Sequence, residues 1–329
     1  MAAKALSAAQ LAAVQAVARA VEGLGEPGAA GTAVMVAVSG GTDSLVLLAA
    51  ARLVAARRSI SCRAVTVDHR LQPGSDGVAA RTAAAAAGLG ADCSVIVVDV
   101  TGSGGMEAAA RAARYEALEA EARPGEWVLL GHTLDDQAET VLLGLARGSG
   151  TRSLAGMPPR RGRFLRPFLG VRRAVLARAA ADWELAPHHD PHNDDPRFAR
   201  VRVRHTVLPL LERELGPGVA EALARTAGIA RSDADLLDSL AAEVLDPADC
   251  AATAALPPAL RTRVLLRWLR DAGAGDVAAR HVAAVGALVT DWHGQTAVDV
   301  PGLTVSRVAG RLAARPNTPP GPPRASDSH

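Results

Sequence analysis

Over its first 150 residues the chain alternates between short apolar runs and longer alanine-rich runs with helical spacing, and that rhythm leaves few folds open. The strand-like runs are 34–38, 63–68, 94–98 and 127–131; the helix-like runs are 45–57, 77–89, 106–122 and 136–147. Strands separated by helices of that length lie parallel, because each helix carries the chain back across the sheet. The expectation is an α/β fold with a parallel, Rossmann-like sheet. In such sheets ligands bind beyond the carboxyl ends of the strands. The chemically capable residues fall there: SGGTDS after the first strand, DHRL after the second and GHTLDD after the fourth.

The first of these joints is the most informative. In AVMVAVSGGTDSLVLLAAARL (33–53) a strand pattern runs straight into a helix pattern. Gly40 and Gly41 let backbone N–H groups close on an anion, and the helix N-terminus that follows favours negative charge. Ser39 and Ser44 add hydroxyl donors. Asp43 repels a phosphate unless a cation lies between them, so its presence points to Mg²⁺. The lysine of the commonest phosphate loop is absent, so the loop belongs to another phosphate-binding class or is an ordinary turn.

A chain of 329 residues suits two domains. With 49% hydrophobic and 21% charged residues it reads as globular, and no stretch approaches the roughly 20 apolar residues of a membrane span. The N-terminal run is broken by Gln10, Gln15 and Arg19, as in an amphipathic helix rather than a signal peptide, so a cytoplasmic protein is expected. Cys62, Cys93 and Cys250 form no CxxC pair, which argues against thiolate metal sites and a disulfide framework. Charge is balanced overall, at +2, but 147–205 holds 13 arginines against five acids, a local excess that attracts phosphates. Past residue 148 the pattern becomes loop-rich. A helix is expected over 172–183, a long one over 217–245, two more over 258–271 and 278–290, and a hairpin at Pro301-Gly302. The expected organisation is an α/β domain over 1–215, a smaller, mostly helical domain with a β-hairpin over 216–314, and a disordered Pro- and Ser-rich tail over 315–329.

Three further stretches carry chemistry. EAAARAARYEAL places Arg111 and Arg114 on one helical face, where a solvated surface is the plain alternative. GHTLDDQAET puts His132 and Asp136 at a strand end, and Asp135 or Asp136 is also a natural helix cap with Glu139 behind it. DPHNDDPRFARVRVRH joins Asn193 and Asp195 to Arg200 and Arg204. A metal cluster drawn from His188, His189, Asp190 and His192 is the weaker reading, since adjacent loop histidines rarely converge on one ion.

SGGTDS resembles the pyrophosphate loop (PP-loop) of the N-type ATP pyrophosphatases. With the three later stretches, in this order and spacing, the chain is similar to the tRNA(Ile)-lysidine synthetases over roughly 33–238, and more weakly to about 311. The resemblance implies a ligase using ATP and Mg²⁺. ATP adenylates the C2 oxygen of the wobble cytidine in the CAU anticodon of tRNA(Ile), and free L-lysine then displaces AMP to give lysidine. It implies that Ser39, Gly40, Gly41, Thr42, Asp43 and Ser44 hold ATP with Val67 and His69, and that Asp43 lies near the metal. Arg111, Arg114, His132 and Asp136 are implied at the reaction centre, with Asn193, Asp195, Arg200 and Arg204 in the tRNA-binding or supporting loop behind it. The chain departs from the family pattern at His192 and Val201, where serine and asparagine are usual. A base is needed for the lysine amine, and Asp136 is preferred over His132 because a carboxylate also attracts the ammonium. The expected partners are tRNA(Ile) and lysine, with a homodimer allowed and no membrane. The leading rival is an NAD synthetase-like amidating enzyme, which shares the loop but gives the arginine-rich middle no role.

Overall fold

The computed structural model describes the chain except residues 1–4, 23, 25–32, 71–73, 100–105, 149, 189, 191–193 and 318–329, and the side chains of 106–108. It divides into two compact units, 1–228 and 229–329.

The first unit opens with α1 (Ala8–Glu22), followed by β1 (Ala33–Ala37), α2 (Thr42–Arg58), β2 (Ser61–Asp68), α3 (Ser75–Gly88), β3 (Cys93–Val97), α4 (Met106–Glu121), β4 (Glu126–Leu129) and α5 (Leu134–Ala146). The sheet order is β3-β2-β1-β4-β6-β5, where β5 (Arg160–Arg161) and β6 (Phe164–Leu165) form a short hairpin on one edge. All neighbours are parallel except β5 with β6. The four expected strands and four expected helices are all present, displaced by at most a few residues. The β5–β6 hairpin and the short helix α6 (Thr151–Leu154) lie in the stretch that reads as loop, because elements of two to four residues have no detectable period.

Side-chain alternation on β1 explains why the sheet is covered on both faces. Val34, Val36 and Val38 enter one core with residues of α1, α2 and α7 (Arg173–Asp182). Met35 and Ala37 enter the opposite core with Leu118 of α4, Val128 and Phe164. A central strand flanked by helices is apolar at every position, as β1 is.

Beyond α7, residues 199–215 form one continuous helical run: α8 (Ala199–Arg202), a π-helical stretch (Val203–Val207) and α9 (Leu208–Leu215). The long helix α10 (Val219–Ala242) follows. In the second unit α11 (Cys250–Ala254), α12 (Pro258–Asp271) and α13 (Ala279–Thr290) pack with a three-stranded antiparallel sheet, β7 (Val298–Val300), β8 (Leu303–Val308) and β9 (Arg311–Pro316). The expected hairpin is the β7–β8 turn, with Gly302 at φ 84°. The third strand, β9, extends that hairpin reading. Among the described residues no helix is long and apolar enough to cross a membrane.

Candidate active site

Between β1 and α2 the chain builds an anion cradle from its own backbone. Gly40 sits at φ 79°, and a Cβ there would meet Thr82 Oγ1 at 2.5 Å, so only glycine fits. The N-cap, Gly41, offers no side-chain acceptor to the first turn of α2, which leaves those N–H groups for a ligand. Ser44 Oγ accepts from Ser39 N at 3.1 Å and donates to Gly41 O at 2.8 Å, fixing the loop from within. Gly40 O in turn accepts from His188 N at 2.9 Å.

Asp43 lies in the first turn of α2. Burial pushes its carboxyl up to about 6, against the lowering pull of Arg173. Oδ2 accepts from Arg173 Nε at 3.3 Å, whereas Oδ1 is buried with no partner among the described residues. A buried acid with one unmatched oxygen beside an anion cradle fits a Mg²⁺ held by one carboxylate plus substrate phosphates. No group of three or more potential ligands occurs among the described residues, so the histidine-rich stretch gives no cluster there; His189 and His192 lie outside them.

One cavity adjoins this loop, and a second shares two of its lining residues. The first, about 310 Å³, lies past the ends of β1 and β2 and is lined by Ser39, Val67, His69, Arg70 and Arg114 among others. The second, about 270 Å³, is lined by His69, Arg111, Arg114, Tyr115, His132 and Arg200. His69 and Arg114 are common to both. Residues from β2's end, α4, β4's end and α8 thus converge on one space. Gly131 makes this possible: a Cβ there would lie 3.3 Å from the Asp43 backbone, so β4's end and the start of α2 approach closely.

The second cavity is electropositive, and its histidines respond. Burial, with Arg114 nearby, lowers the His69 imidazole. Burial also drives His132 down to about 3, with Arg114, Arg166 and Arg111 adding to it against the pull of Asp136. Both rings are neutral near pH 7, and the Nδ1 of each is buried without a partner among the described residues. Burial lowers the Arg114 guanidinium as well.

Asp136 is occupied differently from the expectation. Thr133 is the N-cap of α5, and Asp136 Oδ2 accepts from Thr133 N at 2.8 Å and Thr133 Oγ1 at 2.9 Å, closing a capping box. Oδ1 accepts from Arg173 Nη2 at 2.7 Å and Arg204 Nη2 at 3.2 Å. Burial alone would raise this acid, but Arg173 and the Thr133 N–H outweigh it and hold the group below the ordinary carboxylate value. A carboxylate with both oxygens engaged and its basicity reduced favours an anchoring role over that of a base. The cap itself is Thr133 rather than Asp135 or Asp136.

Asn193, Asp195, Arg200 and Arg204 are the residues expected in the tRNA-binding or supporting loop and helix behind the reaction centre. Arg204 turns inward to Glu139, with Nε–Oε1 at 2.7 Å. Asp195 pairs locally with Arg197 at 2.6 Å. Asn193 lies outside the described residues. Arg200 both lines the cavity and donates to Glu139 Oε2 at 3.0 Å.

The sequence reading missed two residues at the centre of this network. Glu139 is fully buried and receives Arg173, Arg200 and Arg204. Arg173 spans Asp43, Asp136 and Glu139, while its backbone N–H donates to Asp135 at 2.7 Å. An acid at position 139 between the apolar Ala138 and Val141 was the available signal for the first; nothing in sequence pointed to Arg173.

Comparison with known proteins agrees with this geometry. A family model described as a PP-loop domain matches residues 13–211, and one described as a TilS substrate binding domain matches 249–313. The tRNA(Ile)-lysidine synthase of Leifsonia xyli subsp. xyli is 50% identical over 306 residues, covering 89% of this chain and 92% of that protein. Its namesake from Thermobifida fusca is 52% identical, over 84% of this chain and 90% of that protein. The Rhodococcus opacus one is 54% identical, over 85% and 88% respectively. Likeness at that level runs through both units and not through the phosphate loop alone, so the chain belongs to the tRNA(Ile)-lysidine synthase family.

Proposed function

We propose that this chain joins free L-lysine to C2 of the wobble cytidine in the CAU anticodon of tRNA(Ile), in the cytoplasm, forming lysidine with release of AMP and pyrophosphate. The observation that carries the reading is the pair of abutting cavities sharing His69 and Arg114 beyond the phosphate loop. One has the place and lining for the nucleoside of ATP, the other for a cytosine ring and an incoming amine.

In this reading Ser39 to Ser44 grip the pyrophosphate as the leaving group. Asp43, through its unmatched oxygen, would hold Mg²⁺, which supplies charge neutralisation between phosphates and carboxylate when bound. Val67 and His69 border the nucleoside. The C2 oxygen of cytidine attacks the α-phosphorus, the bond to pyrophosphate breaks, and Arg111 and Arg114 face the charge that accumulates. The ε-amine then attacks C2, and AMP leaves with the C2 oxygen.

The amine must arrive neutral, which at pH 7 costs about 4.6 kcal/mol from a reference pKa near 10.4. Burial and two guanidinium groups disfavour an ammonium in this cavity, so the surroundings lower that cost without a strong base. His132, neutral and bordering the cavity, orients the reacting groups, and the proton released by the amine leaves to solvent. Asp136 anchors the start of α5 and Arg173. The proposed division of labour puts this chemistry in 1–215 and further tRNA contacts in 216–314.

The test is to incubate the full chain with ATP, lysine and an unmodified tRNA(Ile) transcript, then digest and look for lysidine by mass spectrometry. Lysidine dependent on all three components is the expected result. ATP consumption without lysine incorporation would overturn the assignment.

A further inference from the structure

We propose that the arginine-lined groove along α5 and α6 is a phosphodiester subsite, gripping RNA backbone next to the nucleotide whose base enters the reaction cavity. It rests on the function proposed above and deepens it.

The groove encloses about 410 Å³ and is lined by Arg111, Arg147, Arg152 and Arg200, with Thr140 and Ser153 among its polar walls. Its described lining contains no carboxylate. Arg111, Arg147 and Arg152 are exposed, so a backbone can reach them. Arg111 and Arg200 also line the 270 Å³ cavity, which makes the two spaces neighbours. A polymer with one base in that cavity must continue somewhere, and this groove begins at its wall. That continuity favours RNA over an acidic peptide.

The walls are fixed before any ligand arrives. Gly144 of α5 comes so near α6 that a Cβ would lie 2.9 Å from Ser153 O. The Gln137 amide clasps the Met157 backbone from both sides, accepting from its N–H at 2.7 Å and donating to its carbonyl at 3.0 Å. Gly156, at φ 57°, leaves room for that clasp. A rigid site spends less of its binding energy on ordering.

The same structure takes other arginines of the basic segment out of contention. Arg163 pairs with Glu119 and donates to two carbonyls, Arg166 is buried against Tyr115 and Pro158, and Arg173 and Arg204 face carboxylates. Arg160 stacks on Trp127 at 4.4 Å.

The experiment measures binding of a tRNA(Ile) transcript to the full chain across a salt series, for the wild type, the double variant Arg147→Ala/Arg152→Ala and the control Arg178→Ala on the exposed side of α7. Lysidine formation and ATP affinity are measured in the same preparations. Two lost contacts to single-stranded backbone should flatten the slope of log affinity against log salt by about 1.4. Low-salt affinity should fall at least tenfold, with ATP affinity and the control unchanged. An unaltered slope in the double variant overturns the subsite, even if the wild type makes lysidine. A flattened slope with no lysidine from the wild type keeps the subsite and removes the proposed reaction. No RNA binding by the wild type removes both.

Discussion

Arg173 donates through Nη2 to Asp136 at 2.7 Å, while its Nε reaches Asp43 at 3.3 Å, so one guanidinium ties the start of α5 to the phosphate loop. The carboxylates raise its own basicity against the cost of burial, and it stays charged at any working pH. We propose that the acid expected to remove a proton from lysine serves instead as a fixed counter-charge.

Asp136→Asn distinguishes the two roles. As an anchor, its loss should slow adenylation and lysine transfer together, by roughly tenfold or more, since the second oxygen's ion pairs with Arg173 and Arg204 weaken. Rapid-quench analysis of tRNA-linked AMP and lysidine at several pH values gives the answer. Accumulated adenylated tRNA, with transfer restored at high pH, would restore Asp136 as the base.

Asp43 predicts a pH dependence. Its folded pKa, about 6, lies above the 3.8 of an unperturbed carboxyl, so the folded state holds the proton more tightly. The stability this contributes is complete below 3.8 and is lost as pH rises through about 6. Metal binding needs the ionised form, so affinity for Mg²⁺ with a non-hydrolysable ATP analogue should fall as pH drops below 6. Calorimetric titration should find that dependence in the wild type and not in Asp43→Asn.

Glu139→Gln should be costly to the fold. Three guanidinium groups face this fully buried carboxylate, and removing one side of such an arrangement leaves charge uncompensated, at about 3–5 kcal/mol. Urea unfolding should show a midpoint well below the wild type's. A midpoint within experimental error of the wild type would mean that Asp136 alone suffices to hold these arginines.

The two loop glycines should behave differently. Gly40→Ala forces a left-handed residue and a Cβ 2.5 Å from Thr82 Oγ1, at a cost of about 1–2 kcal/mol or more. Gly41, at φ −75° with its nearest neighbour 3.7 Å away, should accept alanine at under about 1 kcal/mol. Thermal unfolding of the two variants without ligand checks this, and equal losses would contradict the backbone reading.

By itself the sequence determined the alternation of strands and helices, the glycine-bearing joint after β1 and the gathering of the chemically capable residues beyond the strand ends. Each is a local matter. Periodicity is set by which faces are buried, and a glycine at a strand–helix turn announces its own backbone. Val67, His69, Arg111, Arg114 and His132 were named through the family resemblance rather than by local pattern, and the fold places them around the two cavities. Only the tertiary structure decided which charges meet. Arg173, Glu139 and Asp136 lie on separate turns and helices, and their pairing follows from how α5, α7 and the 199–215 helix pack. An arginine that lines a groove and one that neutralises a buried acid are the same letter in the chain. Burial, which sets the worth of a charge, is a property of the fold.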